Sequence, residues 1–566
     1  MRGSAPIRNS SREQLMVLAA AFVASACAVA WSWTHAAFLL YGDAEAHIHI
    51  ARRLFDSHRP GITQLGSVWL PLPHLLLAPF LLIDPWWRSG FAPVIPSATC
   101  YLLACLGLYR LARFWLSPAS SCVGLALFAA NPNLLYLQTT AMTEPLFLCE
   151  LIWSVLFLVE WHQSLSGDLT RERKLLWAVI AILVAAVFTR YDGWILAFLA
   201  WTGMAICLLR RGRLLSLNFI LASVILLAAP LTWMAYNAVV FGDWLDFMRG
   251  PYSAKAIELR TSSSAVDPHP GWHNPWVATS YFLKAAEMDT AAFGWGTGVF
   301  VISLLGTGWG WFRFRLERKT GKPESTPGAA NQTWLWILLL WLPLPFYAYS
   351  VSYGSVPIFL PVLKPFSYYN TRYGMELLPA LAFFFAFAVE FLLLRLPQLL
   401  KWRFGVIAAL WTALAINFAV MVSQGPLVFV EALKNAESRG YYNRVLTDAL
   451  RSVHALDPMG IVLMDTSNYP SLVPHAGLTY RQTINESDKE FYWAALGAPA
   501  AHADIVLAFA GSDIDKAVRT HPEHLHIYQS FHSPNKGWDQ LDTTLYVSDT
   551  FTAVASHPIL PATPAR

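Results

Sequence analysis

The segment Tyr41-Gly42-Asp43-Ala44-Glu45-Ala46-His47-Ile48-His49-Ile50-Ala51-Arg52-Arg53 packs carboxylates, imidazoles and guanidiniums into about three turns of helix. It follows directly on a long apolar run, so it leaves a membrane just as it turns polar. Groups this costly at a membrane surface usually mark chemistry. Asp43 and His47 stand four apart and share a helix face, as do Glu45 and His49. A carboxylate in that position suits proton abstraction, and we expect Asp43 to act as a general base with Glu45 as a neighbouring catalytic carboxylate. The bland alternative is that Asp43 caps the helix and Glu45 offsets its dipole. His47 has two readings, the wall of a substrate pocket or, with His49, a pair of ligands to a divalent metal. The spacing leaves the metal undecided and requires no other cofactor.

The elements that position this segment must be membrane helices. The 566 residues are 55% hydrophobic and 13% charged, against about a quarter charged in a soluble domain. The net charge of +4 is small, and the basic residues fall in short clusters between apolar runs. That pattern orients a chain in a bilayer and gives no reason to expect nucleic acid. The cysteines (Cys27, Cys100, Cys105, Cys122, Cys149 and Cys207) all lie in apolar stretches and read as small apolar residues.

Apolar runs predict about eleven spans, at 15–40, 92–114, 118–131, 144–162, 174–189, 193–209, 214–236, 290–311, 333–352, 373–394 and 404–424. The first run follows Arg2, Arg8 and Arg12 and is long enough to cross a bilayer, so we expect a retained helix behind a cytoplasmic tail, 1–14. One orientation makes alternate connections basic: Arg110 and Arg113; Arg171, Arg173 and Lys174; Arg210, Arg211 and Arg213; Arg313, Arg315, Arg318, Lys319 and Lys322; Arg395, Lys401 and Arg403. These belong on the cytoplasmic side. The outer side then receives the long loops 41–91, 237–289 and 353–372. Within the first, 68–83 is broken by Pro71, Pro73 and Pro79 and reads as an interfacial element. The membrane domain runs from 15 to 426. From 427 the composition becomes that of a soluble domain. A helix is expected over Phe429–Leu456 with Lys434, Glu437, Arg439 and Arg444 exposed, followed by strands at 461–464, 505–508, 526–528 and 544–547. The expected architecture is an all-α polytopic bundle with a small α/β domain, 427–566, on the outer face.

The remaining polar residues of interest arrive on the same outer side. Thr143-Glu144-Pro145 opens a span, with Thr143 as cap, Pro145 in the first turn and Glu144 as dipole partner or active-site carboxylate. Thr189-Arg190-Tyr191-Asp192 links two spans. Arg190 there either snorkels or holds an anion, with Tyr191 and Asp192 beside it. Tyr236 and Asn237 could line a sugar pocket, with an interfacial aromatic belt as the alternative. Arg372-Tyr373 stands at the start of a span, where a cation opposes the helix dipole and a purely structural role is less comfortable. Two arginines that can bind anions and a carboxylate base suit transfer of a sugar from a lipid phosphate, because the phosphate leaves as an anion and the acceptor hydroxyl needs a base. A lipid-sugar flippase is the rival reading. It would need polar groups in mid-membrane, for which Glu150 and Glu390 are the candidates.

These motifs together resemble the GT-C membrane glycosyltransferases, in particular the bacterial protein-mannosyltransferase-like and aminoarabinose-transferase-like branch. The resemblance rests on the acidic motif in the first outer loop, Thr143-Glu144-Pro145, the outer Arg190, and Arg372-Tyr373 before a span containing Pro379. It covers roughly residues 15–425. It implies an inverting enzyme of the inner membrane that moves a hexose or pentose from a polyprenyl-phosphate carrier to a glycan, lipid or protein acceptor outside. It implies Asp43 as general base, Glu144 as an active-site carboxylate, and Arg190 and Arg372, with Tyr373, as contacts of the donor phosphate. The family more usually has adjacent acidic residues, whereas Ala44 separates Asp43 from Glu45 here.

Overall fold

The computed structural model describes residues 11–261, 268–320, 333–395, 400–533 and 541–551. Arg2, Arg8 and Lys322, read above as cytoplasmic anchors, lie outside the described residues. The principal helices are α1 (Ser11–Thr34), α2 (Gly42–Arg53), α3 (Val94–Ala112), α4 (Pro118–Ala129), α5 (Glu144–Ser164), α6 (Leu169–Thr189), α7 (Tyr191–Leu209) and α8 (Leu217–Phe241). They continue with α9 (Pro275–Thr290), α10 (Trp295–Thr320), α11 (Trp334–Tyr353), α12 (Thr371–Arg395), α13 (Leu400–Gln424), α14 (Leu427–His454), α15 (Glu490–Gly497) and α16 (Asp513–Thr520). The strands are β1 (Val462–Met464), β2 (Thr483–Ile484), β3 (Ile505–Phe509), β4 (Leu525–Phe531) and β5 (Thr543–Ser548).

Two compact units result. One comprises Met1–Ala37, Ser67–Pro73 and Val94–Ala432, and the other Phe38–Gly66, His74–Pro93 and Leu433–Arg566. The first unit is a helical bundle. Among the described residues, eight helices are long and apolar enough to cross a membrane, or nine if α9 and α10 form one bent span. The expectation of about eleven differs at 118–131 and 174–189. There α4 is only 12 residues long, and α6 opens on Arg171, Glu172, Arg173 and Lys174. The predicted loop 237–289 in fact contains α9, which begins at the Asn274-Pro275 pair. Asn274 accepts from the Val277 amide at 3.2 Å, and Pro275 lies in the first turn. A 104° bend separates α9 from α10.

Close backbone approach holds the bundle together, as expected where lipid gives helices no hydrophobic reason to associate. A Cβ at Gly306 would fall 2.0 Å from the Phe384 carbonyl oxygen, so only glycine lets α10 pack this closely on α12. The two suspected mid-membrane carboxylates each meet a hydroxyl, although Glu150 Oε2 has no hydrogen-bond partner among the described residues. Thr189 Oγ donates to Glu150 at 2.8 Å, and Glu390 accepts from the Ser117 amide and hydroxyl at the start of α4.

The second unit centres on a five-stranded sheet of order β2-β1-β3-β5-β4. β1 pairs in parallel with β2 and β3, and β5 is antiparallel to β3 and β4. Every residue of β1 and β3 is buried, as central strands covered on both faces require. Leu463, Val506, Ile514 and Val518 form part of its core. Four of the strands match the expected positions. β2 spans two residues, too short to leave a periodic signal.

Candidate functional site

In the helical unit, buried charges gather where α5, α7, α12 and α14 begin and α9 ends. Arg190 is the hub. Its Nη1 donates to Thr143 Oγ1 at 2.8 Å and lies 3.5 Å from Glu144. Its Nη2 lies 2.6 Å from the Tyr347 hydroxyl and 2.7 Å from Glu376, and its Nε is 3.5 Å from Asp192. The Tyr347 hydroxyl in turn donates to Glu376 at 2.7 Å. Thr143 stands at the N-cap of α5 but makes no capping bond with its side chain, contrary to expectation. Its hydroxyl is taken by Arg190 instead.

Arg372 completes the cluster. Its Nε lies 3.2 Å from the same Glu144 oxygen that faces Arg190, and its Nη1 is 3.3 Å from Glu431. Glu431 also accepts from the Asn370 amide at 2.6 Å, the Thr371 amide at 3.0 Å and the Thr371 hydroxyl at 2.6 Å. It thus caps the amino end of α12 from outside and offsets the cation there. Tyr373 lies under both guanidiniums, at 5.4 Å from Arg190 and 5.0 Å from Arg372. Gly374 lets α12 meet α9, since a Cβ there would lie 2.5 Å from the Ala286 amide nitrogen and 2.6 Å from Asp289 Oδ2. Asp289 is fully buried, and neither of its carboxylate oxygens has a hydrogen-bond partner among the described residues.

The cluster therefore joins Glu144, Arg190, Asp192, Arg372 and Tyr373, all singled out in the sequence, with Tyr347, Glu376, Asp289 and Glu431, which were not. Both arginines are engaged by carboxylates. Glu144 is the carboxylate they share, at distances longer than the 2.7–2.9 Å of tight charge-assisted bonds.

Tyr191 and Tyr236 belong to a separate aromatic cluster of this unit, around Leu70, Trp233 and Phe247. Tyr191 stacks on Phe247 at 5.3 Å, and Tyr236 on Trp233 at 4.8 Å. Asn237 is fully buried and donates to the Trp233 carbonyl one turn back at 2.9 Å, while its Oδ1 has no partner among the described residues.

The second unit holds the segment that opened the sequence reading. Asp43, in the first turn of α2, is partly exposed, whereas Glu45 is buried and ion-paired with Arg439. Burial pushes the Glu45 carboxyl up, and Arg439 draws it back. Arg439 was expected to be exposed on the polar face of its helix, but only 15% of its side chain is open. His47 Nδ1 meets His74 Nε2 at 2.9 Å. Trp87 Nε1 donates to His49 Nδ1 at 3.4 Å. Burial, then the charges of Arg53 and His475, hold His49 well below the usual imidazole range and so neutral. Among the described residues no three His, Cys, Asp or Glu side chains come together as metal ligands. Arg52 ties the end of α2 to Asp56 at 2.9 Å, Asp84 at 3.0 Å and the Leu81 carbonyl at 2.6 Å.

Acidic residues also collect where β1, β2 and β3 end. Burial, and next the charge of Glu486, push the Asp465 carboxyl up to about 7. Tyr492 donates to it at 3.0 Å. Burial likewise pushes Asp488 up to about 6. Between about pH 4, where a free aspartate titrates, and these values, the folded unit binds more protons than the unfolded chain. These two carboxyls therefore contribute stability that is fully present below about pH 4 and is lost as pH rises through 6 to 7, whereas the buried neutral His49 acts in the opposite sense. Asp465→Asn is expected to raise hydrogen-exchange protection of β1 and β3 more at pH 8 than at pH 5. An effect of the substitution that is no larger at pH 8 than at pH 5 would contradict this. Asn485, formally a glycosylation sequon, is fully buried and caps the turn that follows it.

The fold is a bundle of helices of membrane-spanning length with a small α/β unit. Two solved structures of ArnT from Cupriavidus metallidurans share it. The one bound to undecaprenyl phosphate has a TM-score of 0.52 and 12% identity, covering 94% of this chain and 97% of that chain. The apo structure gives 0.50 and 13%, covering 96% and 98%. No family model matches this chain, and no curated protein matches it in sequence. The likeness is therefore one of fold, and it agrees with the resemblance drawn from the motifs.

Proposed function

We propose that the chain is an inverting glycosyltransferase that moves a sugar from a polyprenyl-phosphate carrier to an acceptor hydroxyl outside the cytoplasm. In this reading Asp43 takes the acceptor proton while the acceptor oxygen bonds to the anomeric carbon. The bond from that carbon to the phosphate oxygen breaks on the opposite face, so configuration inverts and polyprenyl phosphate leaves.

The observation that carries the proposal is the place of Glu144, one anionic oxygen lying between two guanidiniums. It marks a seat for an anion, in a fold shared with a protein solved with undecaprenyl phosphate bound. Because both guanidiniums share it, Glu144 is the partner that the donor phosphate displaces from Arg190 and Arg372. Glu144→Gln is therefore expected to tighten binding of undecaprenyl phosphate about tenfold, and Arg372→Gln to weaken it by a similar factor, each equivalent to about 1.4 kcal/mol. Native mass spectrometry with the lipid titrated in would read both. If Glu144→Gln weakens binding as Arg372→Gln does, the seat belongs to the protein's own carboxylate and the phosphate assignment fails.

The bent pair α9–α10 favours lipid-sugar transport as a second reading, since broken helices are common in transporters. Such a protein would move the lipid with its glycosidic bond intact.

A further inference from the structure

The amino end of a helix presents amides with no partner inside the helix, and a side chain at the N-cap ordinarily satisfies one of them. In α2 that position is Tyr41, which makes no capping bond with its side chain. The partner comes from α14 instead: Asn435 Oδ1 accepts from the Gly42 amide at 2.7 Å. Four residues further along the same face of α14, Arg439 Nη2 donates to the Leu40 carbonyl at 2.8 Å, and its Nη1 pairs with Glu45. The fit is close. A Cβ at Gly42 would lie 3.4 Å from both Asn435 Oδ1 and Arg439 Nε. The chain is thus fixed at 40, 42 and 45, on both sides of Asp43, and Glu45 is used in the fixing.

We infer that Asn435 and Arg439 are positioning residues that set the direction of the Asp43 carboxylate. This rests on the reading of Asp43 as the base. A carboxylate in the first turn of a helix follows the backbone that carries it, so any fraying of the turn at Gly42 would move it. The contacts at Leu40, Gly42 and Glu45 fix the backbone on both sides of Asp43, and with it the Cα–Cβ direction from which the carboxylate is presented. Misplacing a reacting group by about 1 Å costs about 100-fold in rate, so a clamp at this point acts on turnover far more than on donor binding.

The test uses the full-length protein in detergent, with whichever member of a panel of synthetic undecaprenyl-phosphate sugars the wild type turns over fastest. Asn435→Ala is expected to lower kcat by about tenfold or more with KM for the donor little changed. Asn435→Asp, which keeps an acceptor for the Gly42 amide, is expected to restore most of it. Arg439→Gln alone strands the buried Glu45 carboxylate and risks unfolding. The paired variant Glu45→Gln with Arg439→Gln removes both charges together and should fold, again with lowered kcat. In an Asp43→Asn background, Asn435→Ala should cost nothing further, because it acts only through Asp43. If Asn435→Ala and the paired variant are folded and turn over like wild type while Asp43→Asn is inactive, the positioning role is overturned and the base assignment stands. If Asp43→Asn itself turns over normally, the base assignment falls and this inference with it.

Discussion

Asp43→Asn is expected to lower kcat by about 10²- to 10⁴-fold, the range a positioned general base contributes, while leaving binding of undecaprenyl phosphate unchanged. Asparagine keeps the size of the side chain and serves as well as aspartate at a helix start. The substitution therefore separates proton abstraction from the shape and helix-start preference of the side chain. Asp43 is partly exposed in the first turn of α2. Glu45 is the natural control. It is buried against Arg439, so Glu45→Gln should act through stability and through the placement of α2, and should leave more turnover than Asp43→Asn. Loss of transfer in Glu45→Gln with normal turnover in Asp43→Asn would exchange the two roles.

The largest expected effect on stability is at Arg190. Its guanidinium touches Thr143, Tyr347, Glu144, Asp192 and Glu376 within 3.5 Å. Arg190→Leu leaves three carboxylates in the bundle without that cation. Removing one partner of a buried ion pair costs about 3–5 kcal/mol, so the variant should melt far below wild type in detergent or fail to accumulate. Arg190→Lys keeps the charge but loses the planar fork that meets several partners at once, and should recover only part of the loss. Adding Glu376→Gln to Arg190→Leu should restore some stability, because it removes the carboxylate held most closely, at 2.7 Å. A melting temperature for Arg190→Leu equal to wild type would show that the network contributes little.

Much of the charged cluster was legible because its members stand at the ends of apolar runs, where a charge is conspicuous. Glu144, Arg190, Asp192 and Arg372 were found that way, and the structure of the helical unit gathers all of them. The residues that escaped sat where the surroundings disguise them. Tyr347 lies inside an apolar run and reads as one more core aromatic. Asp289 ends a helix whose Lys284, Glu287 and Asp289 dilute its hydropathy, so the stretch passed as loop. The capping signal at Asn274-Pro275 was nevertheless present in the sequence. Arg439 was assigned to the polar face of an amphipathic helix, in which Glu431 also lies and drew no separate notice. Periodicity identifies such a face but does not say whether water or another segment covers it. Here Glu431 meets the start of α12, and Arg439 meets Glu45. The strands of the sheet were found where they are long or buried throughout, and β2 was too short to leave a pattern.

Incubating the wild-type protein in liposomes with a panel of undecaprenyl-phosphate sugars and isolated envelope glycans, lipids and peptides, and following donor and acceptor by mass spectrometry, tests the central claim most directly. The account predicts that one donor is consumed, that undecaprenyl phosphate appears in equal amount, and that one acceptor gains the mass of a single sugar with the opposite anomeric configuration. Donor that crosses the bilayer with its sugar still attached, and no acceptor altered, would contradict it.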